Sequence, residues 1–169
     1  MNTTLLNHLR QLQIDPAWSP FLEALGLELE AQLDAPALRV LMARAGQRFA
    51  DTRPLDESPT LADLAAAMNR RWQPMGWGVV SLEEQPGYLR ILHEFCPLPA
   101  ALGSAGASWA TAFVEGVYQA WFASLGVDAA LRVSQHEAPD ALGSVEFRLE
   151  RQVTAPVPAA AERSPRIFA

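Results

Sequence analysis

Trp109, Phe113, Val117 and Trp121 stand at steps of four residues, with Ala112, Tyr118 and Ala120 beside them. Four residues advance an α-helix by slightly more than one turn, so these side chains share one broad apolar stripe. Ser108 ahead of the run and Gly126 behind it are start and stop signals, and together they predict a helix over 109–124. Such a stripe has to be covered. The chain has 169 residues, half of them apolar, and a domain of that size hides roughly 70% of its unfolded surface without a disulfide or metal. Its 19% of charged residues excludes a wholly disordered chain, and the pattern fits neither a collagen-like nor a coiled-coil rod. No apolar run approaches the ~20 residues of a membrane-spanning helix.

The first half reads as helical. Ser19-Pro20 and Ser58-Pro59 each look like a capping serine followed by proline at the first helical position, where a missing N–H costs nothing. Behind the first pair, Phe21, Leu22, Leu25, Leu27 and Leu29 predict a helix ending near Leu33. A second follows Pro36 with Leu38, Leu41, Ala45 and Phe49. After a polar loop at 51–59, Leu61, Leu64, Ala65, Met68 and Trp72 give a third.

From Pro74 the pattern changes. Residues 77–82 are rich in β-formers, Gln85-Pro86-Gly87 signals a turn, and 88–95 alternate. Leu89, Ile91 and His93 face one way; Tyr88, Arg90, Leu92 and Glu94 face the other. Beyond the small-residue loop at 103–106 and the 109–124 helix, 131–136 and 144–151 alternate again around a turn at 139–143. The expected fold is α+β: N-terminal helices followed by strand–strand–helix–strand–strand, an antiparallel sheet packed on helices. One domain is expected over 19–152. Residues 1–18 read as an amphipathic arm, with Leu5, Leu6, Leu9, Leu12 and Ile14 interleaved by Asn7, His8, Arg10 and Gln11. The Ala/Pro-rich 153–169 segment reads as a mobile tail. The arm has no basic n-region, apolar core or cleavage site, so the expected location is the cytoplasm.

Signals for chemistry are thin. All thirteen bases are arginine, and the net charge is −6; an acidic chain without basic clusters is a poor match to nucleic acid. There is no phosphate loop, dinucleotide fingerprint or nucleophile elbow. His8, His93 and His136 fall in three separate elements without paired-ligand spacing, so no metal and no cofactor are expected. His93, on an inward strand face, reads as a core histidine hydrogen-bonded to a neighbour. Cys96, set in Phe95-Cys96-Pro97-Leu98-Pro99, reads as a small core residue. Glu83-Glu84 and Asp56-Glu57 read as solvated, and Glu115 as a structural hydrogen-bond partner. Trp109 and Trp121 belong to the core stripe. Trp18, Trp72 and Trp77, near element ends, are candidates for a subunit interface together with Leu5, Leu9 and Leu12. The arm and the 109–124 stripe offer more apolar surface than a small domain hides alone, which predicts self-association. Nothing nominates an enzyme.

Three segments, in order and spacing, resemble one family. The first is Phe21-Leu22-Glu23-Ala24-Leu25 with Glu28 and Gln32. The second is Trp77-Gly78-Val79-Val80-Ser81-Leu82 leading to Leu89-Arg90-Ile91-Leu92-His93-Glu94 and Pro97. The third is Gly103-Ser104-Ala105-Gly106, then Trp109, Val114-Glu115-Gly116-Val117-Tyr118, Trp121 and Ser124-Leu125-Gly126. Over about residues 18–151 the chain resembles the cellulose synthase operon protein D family, the D component of bacterial cellulose synthase. The resemblance implies a non-catalytic accessory subunit whose dimers build a ring-like octamer. It would help order nascent glucan chains, or the synthases that make them, for crystalline cellulose. It further implies a place beside the cellulose synthase complex, a proline-rich accessory partner, and an arm lining passages for glucan. That assigns Asn7, His8, Arg10 and Gln11 to glucan or partner contact. A periplasmic site is the runner-up to a cytoplasmic scaffold. The family fold is also similar to 4-vinyl-reductase-like and trafficking-complex domains. The alternative it carries is a dimeric module holding a small apolar ligand between helices and sheet, with Cys96 or His93 at its mouth.

Overall fold

A computed structural model describes residues 14–103 and 106–152. Leu5, Asn7, His8, Leu9, Arg10, Gln11, Leu12 and the 153–169 segment lie outside the described residues. Three helices come first: α1 (Ser19–Gln32), α2 (Ala35–Asp51) and α3 (Leu61–Trp72). They are followed by β1 (Val79–Gln85), β2 (Tyr88–Glu94), a single turn α4 (Leu98–Ala101), α5 (Ala112–Ser124), β3 (Leu131–Gln135) and β4 (Val145–Arg151). The fold is α+β in the expected order.

The helix starts differ from their sequence signals in instructive ways. Ser19 is the first residue of α1 and not its cap; Trp18 holds that position without a side-chain bond. The Asp15 carbonyl accepts from the amides of Trp18 and Ser19, so the start of the helix is tied down by backbone. Asp34 caps α2 by accepting from the Ala37 amide at 2.9 Å, with Pro36 in the first turn. In α3 the cap is Thr60, which accepts from the Asp63 amide at 3.1 Å, so Ser58-Pro59 lies just ahead of it. Helix α5 begins at Ala112 rather than Trp109. A tight turn at Gly106–Ser108 and the bonds from the Trp109 and Ala110 amides to the Gly106 carbonyl lead into it.

Two hairpins form the sheet. β1 pairs with β2, β3 pairs with β4, and the hairpins join through β2 and β4, giving the antiparallel order β1-β2-β4-β3. Gly87 (φ +93°) supplies the left-handed residue that the Pro86-Gly87 turn of the first hairpin requires. The register sets Val80 opposite His93, Ile91 opposite Phe147, and Val133 opposite Leu149. Period-two alternation puts all six on one buried face. Helix α5 lies against β3 on one side and α2 on the other, and α3 runs along β1.

Backbone contact joins α2 to α5. A Cβ added at Gly46 would stand 2.0 Å from the Phe113 carbonyl oxygen, and one at Gly116 would stand 2.1 Å from that of Ala43. Each glycine makes room for the other helix. Close approach drives the 109–124 stripe inward: Trp109, Val117 and Trp121 are buried within the protomer. This corrects the expectation that the stripe is surplus apolar surface available for assembly. The pairing with α2 and the sheet covers most of it, leaving Phe113 and Ala120 half-buried.

Both flanks of the sheet are finished by helix carboxamides. Asn69 of α3 donates to the Val80 carbonyl and accepts from the Val80 amide, each at 2.8 Å. Gln119 of α5 accepts from the Val133 amide at 2.8 Å and donates to the Leu131 carbonyl. Glu115 takes the Gln135 amide at 3.1 Å. The outward groups of Val80 in β1, and those of Leu131, Val133 and Gln135 in β3, thereby find partners inside the molecule.

Candidate functional site

Strand β2 carries His93 into the interior because its parity matches Ile91 and Leu89. The imidazole meets two partners. Its Nε2 lies 2.6 Å from the Trp77 carbonyl oxygen and its Nδ1 lies 2.6 Å from the Tyr118 hydroxyl. A carbonyl only accepts, so Nε2 bears the proton, and Nδ1 accepts from the Tyr118 O–H. The neutral ring is fully satisfied in that tautomer. Burial pushes His93 down to about 4, the Trp77 carbonyl opposing this only in part. Tyr118, also buried, has its phenol raised well above the ordinary value. The rings of Trp72, Trp121 and Phe147 close around the His93–Tyr118 pair. Trp72 Nε1 is a buried donor without a hydrogen-bond partner among the described residues. Its dipole favours charge on the Tyr118 oxygen without reaching hydrogen-bond geometry.

Cys96 is buried beside this cluster, and burial pushes its thiol up to about 12. Such a thiol is almost wholly protonated near neutrality and makes a poor nucleophile. Neither Cys96 nor His93 sits at a mouth, which corrects the placement the ligand-module alternative gave them. The interior they share is filled with aromatic side chains.

A second polar group straddles α2, α5 and β3. Arg39 Nη2 reaches Glu115 Oε2 at 2.8 Å, and Arg39 Nη1 reaches the Ser108 carbonyl at 3.2 Å. Burial raises the Glu115 carboxyl, and Arg39 and the Gln135 amide pull it the other way. The structural role expected of Glu115 is what its bonds describe: it ties two helices to a strand. On the outer sheet face, Glu146 takes Arg90 at 2.8 Å and Arg148 at 3.0 Å. The Arg90 bond holds its carboxyl below the ordinary value. Among the described residues no group of three His, Cys, Asp or Glu side chains is placed to hold a metal ion, and no helix is long and apolar enough to cross a membrane.

The three tryptophans offered as interface candidates part company. Trp72 is fully buried, which removes it from any interface. Trp77 is half-buried and stacked on it, ring centres 5.9 Å apart and planes within 3°. Trp18 is 59% exposed and touches Phe21 edge-on at 6.0 Å. It opens an apolar patch that periodicity did not pick out. Helix α1 shows Phe21, Leu25 and Leu27, Leu33 follows its last turn, and α2 adds Val40 and Leu41. A signal was present: Leu25, Leu27 and Leu29 lie within five positions and cannot all face one side of a helix.

Comparison with known proteins agrees with this architecture. A solved structure of trafficking protein particle complex subunit 3 from Naegleria fowleri, covalently bound to palmitic acid, superposes with a TM-score of 0.53 at 13% identity, covering 86% of this chain and 95% of that one. That likeness concerns the fold. A cellulose synthase operon protein D from Komagataeibacter xylinus is 29% identical over 117 residues, covering 67% of this chain and 74% of its own. The protein of that name from Komagataeibacter sucrofermentans shows the same figures, 29% over 117 residues with 67% and 74% covered. A second from K. xylinus is 27% identical over 111 residues, covering 64% of this chain and 71% of its own. The family model for the D subunit of cellulose synthase matches residues 4–149, nearly the whole chain. The chain belongs to the family of the cellulose synthase D subunit.

Proposed function

We propose that this protein is a non-catalytic accessory subunit of a bacterial cellulose-synthesising machine, acting as a self-assembling scaffold. The observation that carries the reading is the family match across residues 4–149. The chemistry of the interior supports it. His93, Tyr118, Arg39 and Glu115, the groups best suited to acid–base work, are engaged with each other or with backbone and strand residues. Cys96 is held in its unreactive form.

In this reading dimers assemble into a ring-like octamer on the cytoplasmic side, beneath the synthases and beside a proline-rich accessory protein. The arm residues Asn7, His8, Arg10 and Gln11 meet nascent glucan or that partner. Complementation tests the role. The full chain, expressed in a cellulose-producing bacterium deleted for its own operon protein D, is expected to restore crystalline cellulose yield. Unrestored yield at normal expression and stability, together with a monomeric mass in native mass spectrometry, would overturn the proposal.

A further inference from the structure

Helix α1 is apolar on nearly every side, and a helix of that composition is ordinarily buried all round. Here Gly26 is its one buried residue, held where a Cβ would stand 2.1 Å from the Leu102 carbonyl oxygen. Leu22 and Leu29 are half-buried against the core, and Phe21, Leu25 and Leu27 face outward. Of ten large apolar residues exposed among the described residues, seven lie between positions 18 and 41. A protomer that packs three tryptophans completely does not leave such a patch for want of core-forming side chains. Exposed apolar side chains concentrated on two neighbouring helices mark an interface.

Charge on the two helices indicates the occupant. Helix α1 carries Glu23, Glu28 and Glu30 and no base. Helix α2 carries Arg39, Arg44 and Arg48, and its one acid is the terminal Asp51. Within the protomer, Glu30 is taken by the Trp109 indole at 2.9 Å and Arg39 by Glu115 at 2.8 Å. The exposed remainder, Glu23 and Glu28 on α1 and Arg44 and Arg48 on α2, forms no ion pair among the described residues. On each helix these charges alternate with the exposed apolar side chains. Glu23 is one turn from Leu27, Glu28 is three residues from Leu25, and Arg44 is one turn from Val40. An acidic apolar helix beside a basic apolar helix is self-complementary under a two-fold axis. Residue i then meets residue j, and j meets i.

We propose that two copies of this chain pair through α1 and α2, with α1 of each crossing α2 of the other. The apolar centre is Phe21, Leu25, Leu27, Val40 and Leu41, and Glu23 and Glu28 face Arg44 and Arg48 of the second copy. This rests on the self-association in the proposed function and names its surface. It moves the interface away from Trp72 and the 109–124 stripe.

Charge reversal and its repair provide the test, on the full chain by sedimentation velocity and native mass spectrometry. E23R/E28R and R44E/R48E are each expected to weaken dimer formation about tenfold or more, by setting like charges against each other. The four-fold variant carrying both pairs is expected to recover most of the loss, because the complementarity is restored with its signs exchanged. All four residues are exposed, so each variant is expected to keep the wild-type circular dichroism and unfolding profile. An oligomeric wild-type chain whose mass both double variants leave unchanged overturns this surface alone. So does failure of the four-fold variant to recover while it remains folded. A wild-type chain that stays monomeric at micromolar concentration overturns the self-association reading itself, and the surface with it.

Discussion

Replacing Gly116 or Gly46 by alanine tests the central packing statement, because two opposed effects have well-separated sizes. In a helix interior, alanine is favoured over glycine by about 1 kcal/mol. Both positions lie inside helices, so a site with space around it gains that amount. The structure predicts the reverse. A Cβ at Gly116 would stand 2.1 Å from the Ala43 carbonyl oxygen, and one at Gly46 would stand 2.0 Å from that of Phe113. Ordinary carbon–oxygen contact is more than an ångström longer. The obstacle in both cases is backbone, which no rotamer change can move aside. The helices must part by about an ångström along their crossing, disturbing the packing of Tyr118 and Trp121 on α5 and straining the Arg39–Glu115 bridge. Overpacking of that kind costs typically 1–3 kcal/mol, occasionally more, so each variant is expected to lose ~2 kcal/mol net. Urea unfolding of both variants would be read against wild type at one fixed protein concentration, since association contributes to apparent stability. Gln47→Ala, at the exposed neighbouring position, serves as control and is expected to stay within about 0.5 kcal/mol. An alanine variant as stable as wild type, or stabilised by the intrinsic helix preference, would refute backbone contact between α2 and α5.

Three further expectations concern polar groups. Burial holds folded His93 at about 4 against an ordinary 6.5. Between those values the unfolded chain takes up a proton that the folded chain refuses, so stability falls as pH falls through the window. The His93 share of that loss is roughly 3 kcal/mol. Urea midpoints from pH 7 to 4 are expected to show it, and His93→Gln, though less stable, is expected to have a visibly shallower slope; an unchanged slope would count against a buried neutral ring. Asn69→Ala and Gln119→Ala each strip the backbone amide of a buried residue, Val80 and Val133, of its partner. Each is expected to cost about 1–3 kcal/mol and to speed hydrogen exchange selectively at that amide; uniform exchange across the sheet would argue against an edge role. Cys96, at 2% exposure and about 12, is expected to resist iodoacetamide at pH 8 in the native chain and to react fully in urea. Rapid native labelling would mean that the segment after β2 opens.

What local periodicity encodes was readable before any coordinates. The alternation through Leu89, Ile91 and His93 put the imidazole inside. Its need for hydrogen-bond partners followed, as did the structural part played by Glu115 and the inert setting of Cys96. The helix starts shifted by a step or more for specific reasons. At α1 a backbone turn closed by the Asp15 carbonyl carries Ser19 inside the helix, and at α3 Thr60 takes the cap in place of Ser58. Trp109 kept the four-residue rhythm of α5 while standing in the turn ahead of it. The remaining features depend on who meets whom. Nothing near Gly46 in the chain announces Phe113, and nothing near Gln119 announces the Val133 amide. The family resemblance supplied a role where residue chemistry offered none, since the polar groups of the interior are structural. The α1 patch stayed hidden because periodicity shows that a helix has an apolar side, not whether its own protomer covers that side.

The carboxamides of Asn69 and Gln119 bear on the size an assembly can reach. A strand added to an open sheet presents a fresh strand in turn, so growth by that route has no natural stopping point and tends toward fibres. With Val80 on one side and Leu131, Val133 and Gln135 on the other already bonded within the molecule, that route is obstructed along β3 and at the Val80 end of β1. A contact between helix faces related by two-fold symmetry uses up both faces when it forms. Under the proposed pairing, a fold built this way favours counted, closed particles over open-ended ones.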